Sequence, residues 1–179
     1  MALHRAAVAE CAAALAEVPA DAWTRPLAPG RWSPAEIAEH LAIAYDPPLA
    51  ELSGGPGFAI RASWWKRRAL RWAFLPGILN GGFPAGAPAP REIRPGRAVA
   101  CPEEASRALS VNAERFLATL TEARTARRVR LTHPYFGKLR PAQTVMLLTS
   151  HALHHRRQLP GPGSLTACDI VPLEGGADA

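Results

Sequence analysis

Leu109, Ala113, Phe116, Leu117 and Leu120 repeat at i, i+4, i+7, i+8 and i+11. At 100° per residue they share one stripe of a helix, and a stripe that wide has to be buried against other elements. The helix is expected to start at Pro102, with Glu103 and Glu104 in a first turn that favours carboxylates, and to fade near Arg124. Three further segments read the same way. Residues 2 to 18 place Leu3, Ala7, Ala14, Leu15 and Val18 near one face, with Pro19 after the end. A second helix runs from Pro34 to about Tyr45, opened by Ser33 as N-cap and by Glu36 three residues later, which is a capping box. Asp46-Pro47-Pro48 ends or kinks it, and a short turn from Pro48 to Leu52 continues at an angle. The last helix runs from Arg140-Pro141 to Gln158 or Leu159, where Pro160-Gly161-Pro162-Gly163 stops it. No stretch alternates Val, Ile and Thr with period two, so few or no strands are expected.

Four long helices in 179 residues, joined in the middle by a long crossover, predict an all-α protein, a four-helix bundle. Residues 1–160 form the bundle and residues 161–179 a terminal tail with one short apolar patch, Ile170, Val171 and Leu173. The crossover holds an extra short helix, Ser63 to Leu75, in which Trp64, Trp65, Leu70, Trp72 and Phe74 interleave with Lys66, Arg67, Arg68 and Arg71. It reads as a pocket cap whose tryptophans pack on the bundle, with membrane contact as the weaker alternative. Residues 76–101 are rich in proline and glycine and are expected to lack regular structure and to lie across one end of the bundle. The segment from His133 to Leu139 reads as a loop.

The net charge of +6 comes mainly from arginine and reads as a solvated surface. No basic recognition helix or RNP-like motif accompanies it, so no nucleic-acid partner is expected. No run of about 18 apolar residues exists and the N-terminus lacks the pattern of a signal peptide, so no membrane partner is expected either. Cys11, Cys101 and Cys168 are odd in number and form no C-x-x-C pair. That argues against a disulfide framework and for a reducing cytoplasm. Cys11 reads as a small buried or half-buried residue.

His151 and His155 stand four apart, so on a helix they project from one face and can share a metal ion. Both border the arc of Val145, Leu148, Ala152 and Leu159, whereas His154 falls on the opposite side and reads as a surface residue. On the second helix His40 sits at the edge of the stripe of Ile37, Leu41 and Ala44. Three imidazoles converging across facing helices leave coordination positions open, as catalytic metal sites do. A metal there would lower the pKa of a water or bind and deprotonate a thiol. Glu36, one turn before His40, is placed to orient that ligand or serve as a catalytic base, its alternative being the helix cap alone. Gln158 reads either as a hydrogen-bonding group within the pocket or as a surface side chain at the helix end, and His133 reads as structural or pocket-lining.

Trp32-Ser33-Pro34-Ala-Glu36-Ile37-Ala-Glu-His40-Leu41, Ala89-Pro90-Arg-Glu-Ile-Arg-Pro95, His133-Pro134-Tyr-Phe-Gly137-Lys-Leu139 and His151-x-x-x-His155-Arg-x-Gln158 together resemble the DinB/YfiT-like metalloenzyme superfamily, from about residue 1 to 160. The resemblance implies a four-helix bundle with a divalent metal, zinc or nickel, held by His40, His151 and His155, and it brings Trp32 into the pocket. Characterised members include S-transferases that use a low-molecular-weight thiol (bacillithiol, mycothiol or glutathione) and a mycothiol-dependent isomerase. The expectation is therefore a metal-dependent enzyme of thiol S-transferase or hydrolase type acting on a small-molecule substrate, with a homodimer left open. The alternative is a non-enzymatic stress protein that binds metal or a small ligand.

Overall fold

A computed structural model of the chain describes residues 1–80, 82, 83, 86, 88–96, 101–126 and 128–159. The expected tail, with Cys168 and its apolar patch, lies outside the described residues. The chain is mostly helical: α1 (Ala2–Ala16), α2 (Pro34–Ile43), α3 (Asp46–Leu52), α4 (Trp64–Ala73), α5 (Leu75–Leu79), a 3-10 turn (Arg91–Ile93), α6 (Pro102–Ala126), β1 (Leu131–His133), β2 (Gly137–Leu139) and α7 (Pro141–Arg156). No helix among the described residues is long and apolar enough to cross a membrane.

The α6 stripe is the spine of the bundle. Leu109, Phe116, Leu117 and Leu120 are at most 1% exposed, so truncating any of them would cost about 2–5 kcal/mol. Around it α6 packs against α1 and α2, and α1 packs against α7. The remaining edge, between α2 and α7, is closed mainly by side chains, and the histidines lie there.

The helix starts behave as their residues dictate. The Ser33 side chain accepts from the Glu36 N–H, and the Glu36 carboxylate accepts from the Ser33 backbone N–H at 2.8 Å. After the break at Ala44 and Tyr45, Pro47 and Pro48 fall in the first turn of α3, where a missing N–H breaks no intrahelical bond. On α1 the expected face is buried at Ala7, Ala14 and Leu15, with Val18 just beyond the helix, but not at Leu3. Leu3 is 57% exposed, while His4 is buried with Val8, Cys11 and Leu15. His4 turns inward because both ring nitrogens find partners there. The Thr149 hydroxyl donates to the Val145 carbonyl at 2.8 Å and lies 3.1 Å from His4 Nδ1, and the Tyr45 hydroxyl lies 3.1 Å from His4 Nε2. One proton arrangement satisfies all of them: Tyr45 O–H donates to Nε2 and Nδ1–H donates to Thr149.

Three expectations for the rest of the chain need correction. The His133–Leu139 loop is an antiparallel hairpin, with Leu131 opposite Leu139 and His133 opposite Gly137. Gly137 has φ +70°, a backbone region open to glycine at no steric cost. Glu51 on α3 holds the hairpin from behind, accepting from the Thr132 N–H at 2.7 Å, the Thr132 hydroxyl at 2.8 Å and Lys138 Nζ at 2.5 Å. The proline/glycine segment is not wholly irregular either, since α5 includes Pro76 in its first turn and a 3-10 turn forms at Arg91–Ile93. And the tryptophans of α4 do not pack on the bundle: Trp64, Trp65 and Trp72 are 70%, 56% and 82% exposed.

Burial lowers the His4 pKa from 6.5 to about 4, with the N-terminal charge adding to the effect. Between those values the unfolded chain binds a proton that the folded chain refuses. The corresponding stability is complete above about pH 6.5 and is lost as pH falls toward 4. Urea unfolding at neutral pH and near pH 4 should therefore show a drop in the wild type that His4→Gln reduces by about 3 kcal/mol. An equal drop in both proteins would show that His4 is not the responsible group.

Candidate metal centre

His40 lies on the last turn of α2, and His151 and His155 on the last two turns of α7. Helical phase turns all three into the α2–α7 edge, where they are 3%, 7% and 7% exposed. His151 Nε2 lies 2.8 Å from His40 Nε2 and 3.1 Å from His155 Nε2. The three ligand atoms all lie within 4.8 Å of one another.

The outer nitrogens fix the tautomers. His40 Nδ1 is 2.6 Å from the Ile93 carbonyl, which can only accept, so Nδ1 carries the proton and Nε2 presents a lone pair. His155 Nδ1 is 2.7 Å from Gln158 Oε1, with the same consequence for its Nε2. His151 Nε2 can donate to at most one of these two acceptors. Burial also keeps the rings neutral. It lowers the His40 pKa to about 4 against the raising effect of the Ile93 carbonyl, and the His155 pKa to about 3. Burial and the neighbouring imidazoles hold His151 well below its ordinary value. Facing lone pairs at these distances repel unless a cation lies between them. Neutral, converging imidazoles, two of them braced from outside, suit a divalent metal, and these three could hold such an ion.

Trp32 lies against two of the rings, its centroid 4.7 Å from His40 and 6.0 Å from His155, nearly parallel to the latter. Phe83, from the crossover, covers His151 and His154 at 5.4 and 5.3 Å. The centre forms one wall of a cavity of about 1100 Å3 whose other walls are chiefly apolar, among them Ile37, Phe58, Phe74, Ile78, Phe136 and Leu147. Arg25, Arg31 and Arg157 are exposed and also line it, so they mark its solvent side.

The expected site residues divide accordingly. His40, His151 and His155 come together, with Trp32 and Gln158 beside them. His133 lines the same cavity, but its Nδ1 accepts from the backbone N–H groups of Tyr135 and Phe136 at 3.3 Å each, and its ring stacks on Phe136. It organises the hairpin turn, and burial lowers its pKa to about 3. Glu36 is exposed, its carboxylate accepts from the Ser33 N–H and hydroxyl, and it does not line the cavity, so it caps α2 rather than standing over the histidines as a base. His154 is half-buried rather than a surface residue, since Phe83 of the crossover lies 5.3 Å from its ring and Gln158 Nε2 lies 3.1 Å from His154 Nε2.

Two contributors escape sequence reasoning. One is the Ile93 carbonyl, a backbone group with no side-chain signature. The other is Glu39, buried on α2, whose Oε2 accepts from the Gly96 N–H at 3.0 Å. Together they fasten residues 93 to 96 of the crossover onto α2 beside His40.

A model of the DinB superfamily matches residues 2–159 of the chain. No curated protein and no solved structure matches it.

Titration calorimetry with zinc or nickel should give one ion per chain for the wild type and loss of binding for His155→Ala. Gln158→Leu, which removes the brace but no ligand, should weaken affinity about 10–100-fold. Glu36→Ala should leave affinity unchanged while lowering stability by about 1 kcal/mol through the lost cap.

Proposed function

The chain belongs to the DinB superfamily, and we propose that within it this protein is a divalent-metal-dependent enzyme that transfers a low-molecular-weight thiol onto an apolar electrophile. The observation that carries this reading is the meeting of three neutral imidazoles, two of them braced from outside, with the wall of a large, chiefly apolar cavity. A cation held by His40, His151 and His155 supplies Lewis acidity, which favours the anionic form of a thiol at neutral pH. Zinc and nickel both suit imidazole ligands.

The chain's own residues do the rest. The Ile93 carbonyl and Gln158 hold two of the rings in their lone-pair-inward tautomers. Trp32 and Phe83 keep bulk water from the histidines. The apolar walls seat an electrophile with little polar surface. Arg31 and Arg157 stand near His154, where their charges add to burial in lowering its pKa, and they are placed to bind the carboxylates of a thiol co-substrate.

Transfer is preferred to hydrolysis because the cavity wall is chiefly apolar and suits an electrophile with little polar surface, and a thiolate is a strong nucleophile once its proton has gone.

Thiol consumption with monochlorobimane should be metal-dependent in the wild type and absent in His155→Ala. Arg31→Ala combined with Arg157→Ala should raise KM for a dicarboxylate-bearing thiol by about tenfold or more, with kcat little changed, since each charge-assisted contact contributes about 1.5–3 kcal/mol. Metal binding with no turnover for any thiol would leave a binding protein in place of a transferase.

A further inference from the structure

Helix α4 is explained neither by the bundle nor by the metal centre. It has no buried residue. Trp65, Ala69 and Trp72 are spaced i, i+4 and i+7, so they form one outward stripe, with Trp64 beside it. Trp72 is 82% exposed, an unusual cost for the largest apolar side chain, and Ile60 and Phe74 are each 48% exposed nearby. The helix is held to the body from its other side. Arg71 Nη1 donates to the Lys138 carbonyl at 2.9 Å, the Arg67 stem lies beside Gly137 of the hairpin while its Nη1 donates to the Ala62 carbonyl just before the helix at 3.3 Å, and Leu70 joins the small cluster around Leu75 and Phe136.

The charge of the chain is concentrated on the same segment. Residues 52–91 contain Arg61, Lys66, Arg67, Arg68, Arg71 and Arg91 and no Asp or Glu, while the other 15 basic residues are balanced by all 15 acidic ones. The whole net charge of +6 therefore falls on the stretch that carries the exposed tryptophans. Lys66 lies 5.4 Å over the Trp65 ring, and Lys66 and Arg68 flank the aromatic stripe on its two sides.

We infer that α4 is a peripheral docking surface for an anionic lipid bilayer, with Trp64, Trp65 and Trp72 entering the interface and Lys66 and Arg68 meeting the headgroups. Indole rings favour that boundary because one part is apolar and the N–H can stay hydrated. A short helix with aromatics on one face and cations at its margins lies in the interface plane without crossing it. A second copy of the chain fits the surface less well, because a two-fold contact through this stripe would gather the Lys66 and Arg68 cations of both copies in one interface, with no Asp or Glu in residues 52–91 to neutralise them. A nucleic acid would engage mainly cations, and here Arg67 and Arg71 turn inward while Arg61 is paired with Glu92 at 3.0 Å.

The experiment is co-sedimentation of the full chain with vesicles of phosphatidylcholine mixed with phosphatidylglycerol, and with pure phosphatidylcholine, while tryptophan emission is recorded. The expected result is binding to the anionic vesicles at low salt, with a blue shift, and loss of binding as salt rises. Trp65→Ala with Trp72→Ala should weaken it at least about tenfold, and so should Lys66→Glu with Arg68→Glu, at about fivefold for each charge lost. All four positions are exposed, so unchanged thermal unfolding shows that the variants fold. No partition at low salt would overturn the inference, as would binding that the tryptophan variant retains. A wild-type dimer that the same variant converts to a monomer would assign the face to a second copy, and duplex DNA that displaces the vesicles would assign it to nucleic acid.

Discussion

Everything around the α2–α7 edge depends on three imidazole Nε2 atoms converging on one another. No apolar packing produces that arrangement. It is held from outside, by the Ile93 carbonyl behind His40 and Gln158 behind His155, each fixing a proton on the far nitrogen of the ring. Without those braces either ring could turn or exchange tautomers and relieve the repulsion. The edge that a regular bundle would fill with leucines is thereby left as a wall of nitrogen donors beside a large cavity. The binding free energy of a cation would go partly into stapling α2 to α7, where backbone packing is sparse.

The crossover is what makes the cavity tenable. A pocket of about 1100 Å3 opening between two bundle helices would flood unless something covered it. Ile93 and Gly96 are hydrogen-bonded onto α2, α5 packs on α7, and the hairpin is anchored to α3 through Glu51. Burial works against the Glu51 carboxylate, but hydrogen bonds from Lys138 and Thr132 win, and its pKa lies below the usual range. Three separate tethers thus carry the roof: two use polar groups of the bundle, His40 with Glu39 and Glu51, and the third is the apolar contact of Leu75 and Ile78 with Leu147.

How much of this could be read from residues alone follows from which features have a period. Helical phase placed His151 and His155 together and His40 opposite, and Ser33 with Glu36 announced the start of α2, because both signals repeat at fixed helical offsets. The hairpin was illegible since three-residue strands are too short for a period-two pattern to emerge. The brace on His40 was illegible because a main-chain carbonyl is present at every residue. His154 looked external on a wheel that treats α7 as having one free face, yet the crossover packs on that face. Leu3 and His4 differ from the apolar pattern because a histidine whose two ring nitrogens meet Thr149 and Tyr45 can be buried, which hydropathy alone does not show.

The α4 tryptophans misled in an instructive way. Aromatic residues in a helix usually indicate the buried side, and here they indicate the free one. The inward side is occupied by arginines, whose long stems cross apolar surface and whose guanidinium groups find carbonyls at the hairpin and just before the helix. A wheel cannot distinguish these alternatives, because Arg and Trp are both amphipathic and either can form the contact. What decides between them is the supply of acceptors. The hairpin presents the carbonyls of Phe136 and Lys138 toward α4, and Arg71 donates to both, where an indole N–H, a single donor on a rigid ring, satisfies at most one. The hairpin that the sequence pattern conceals is therefore also what turns the tryptophans outward.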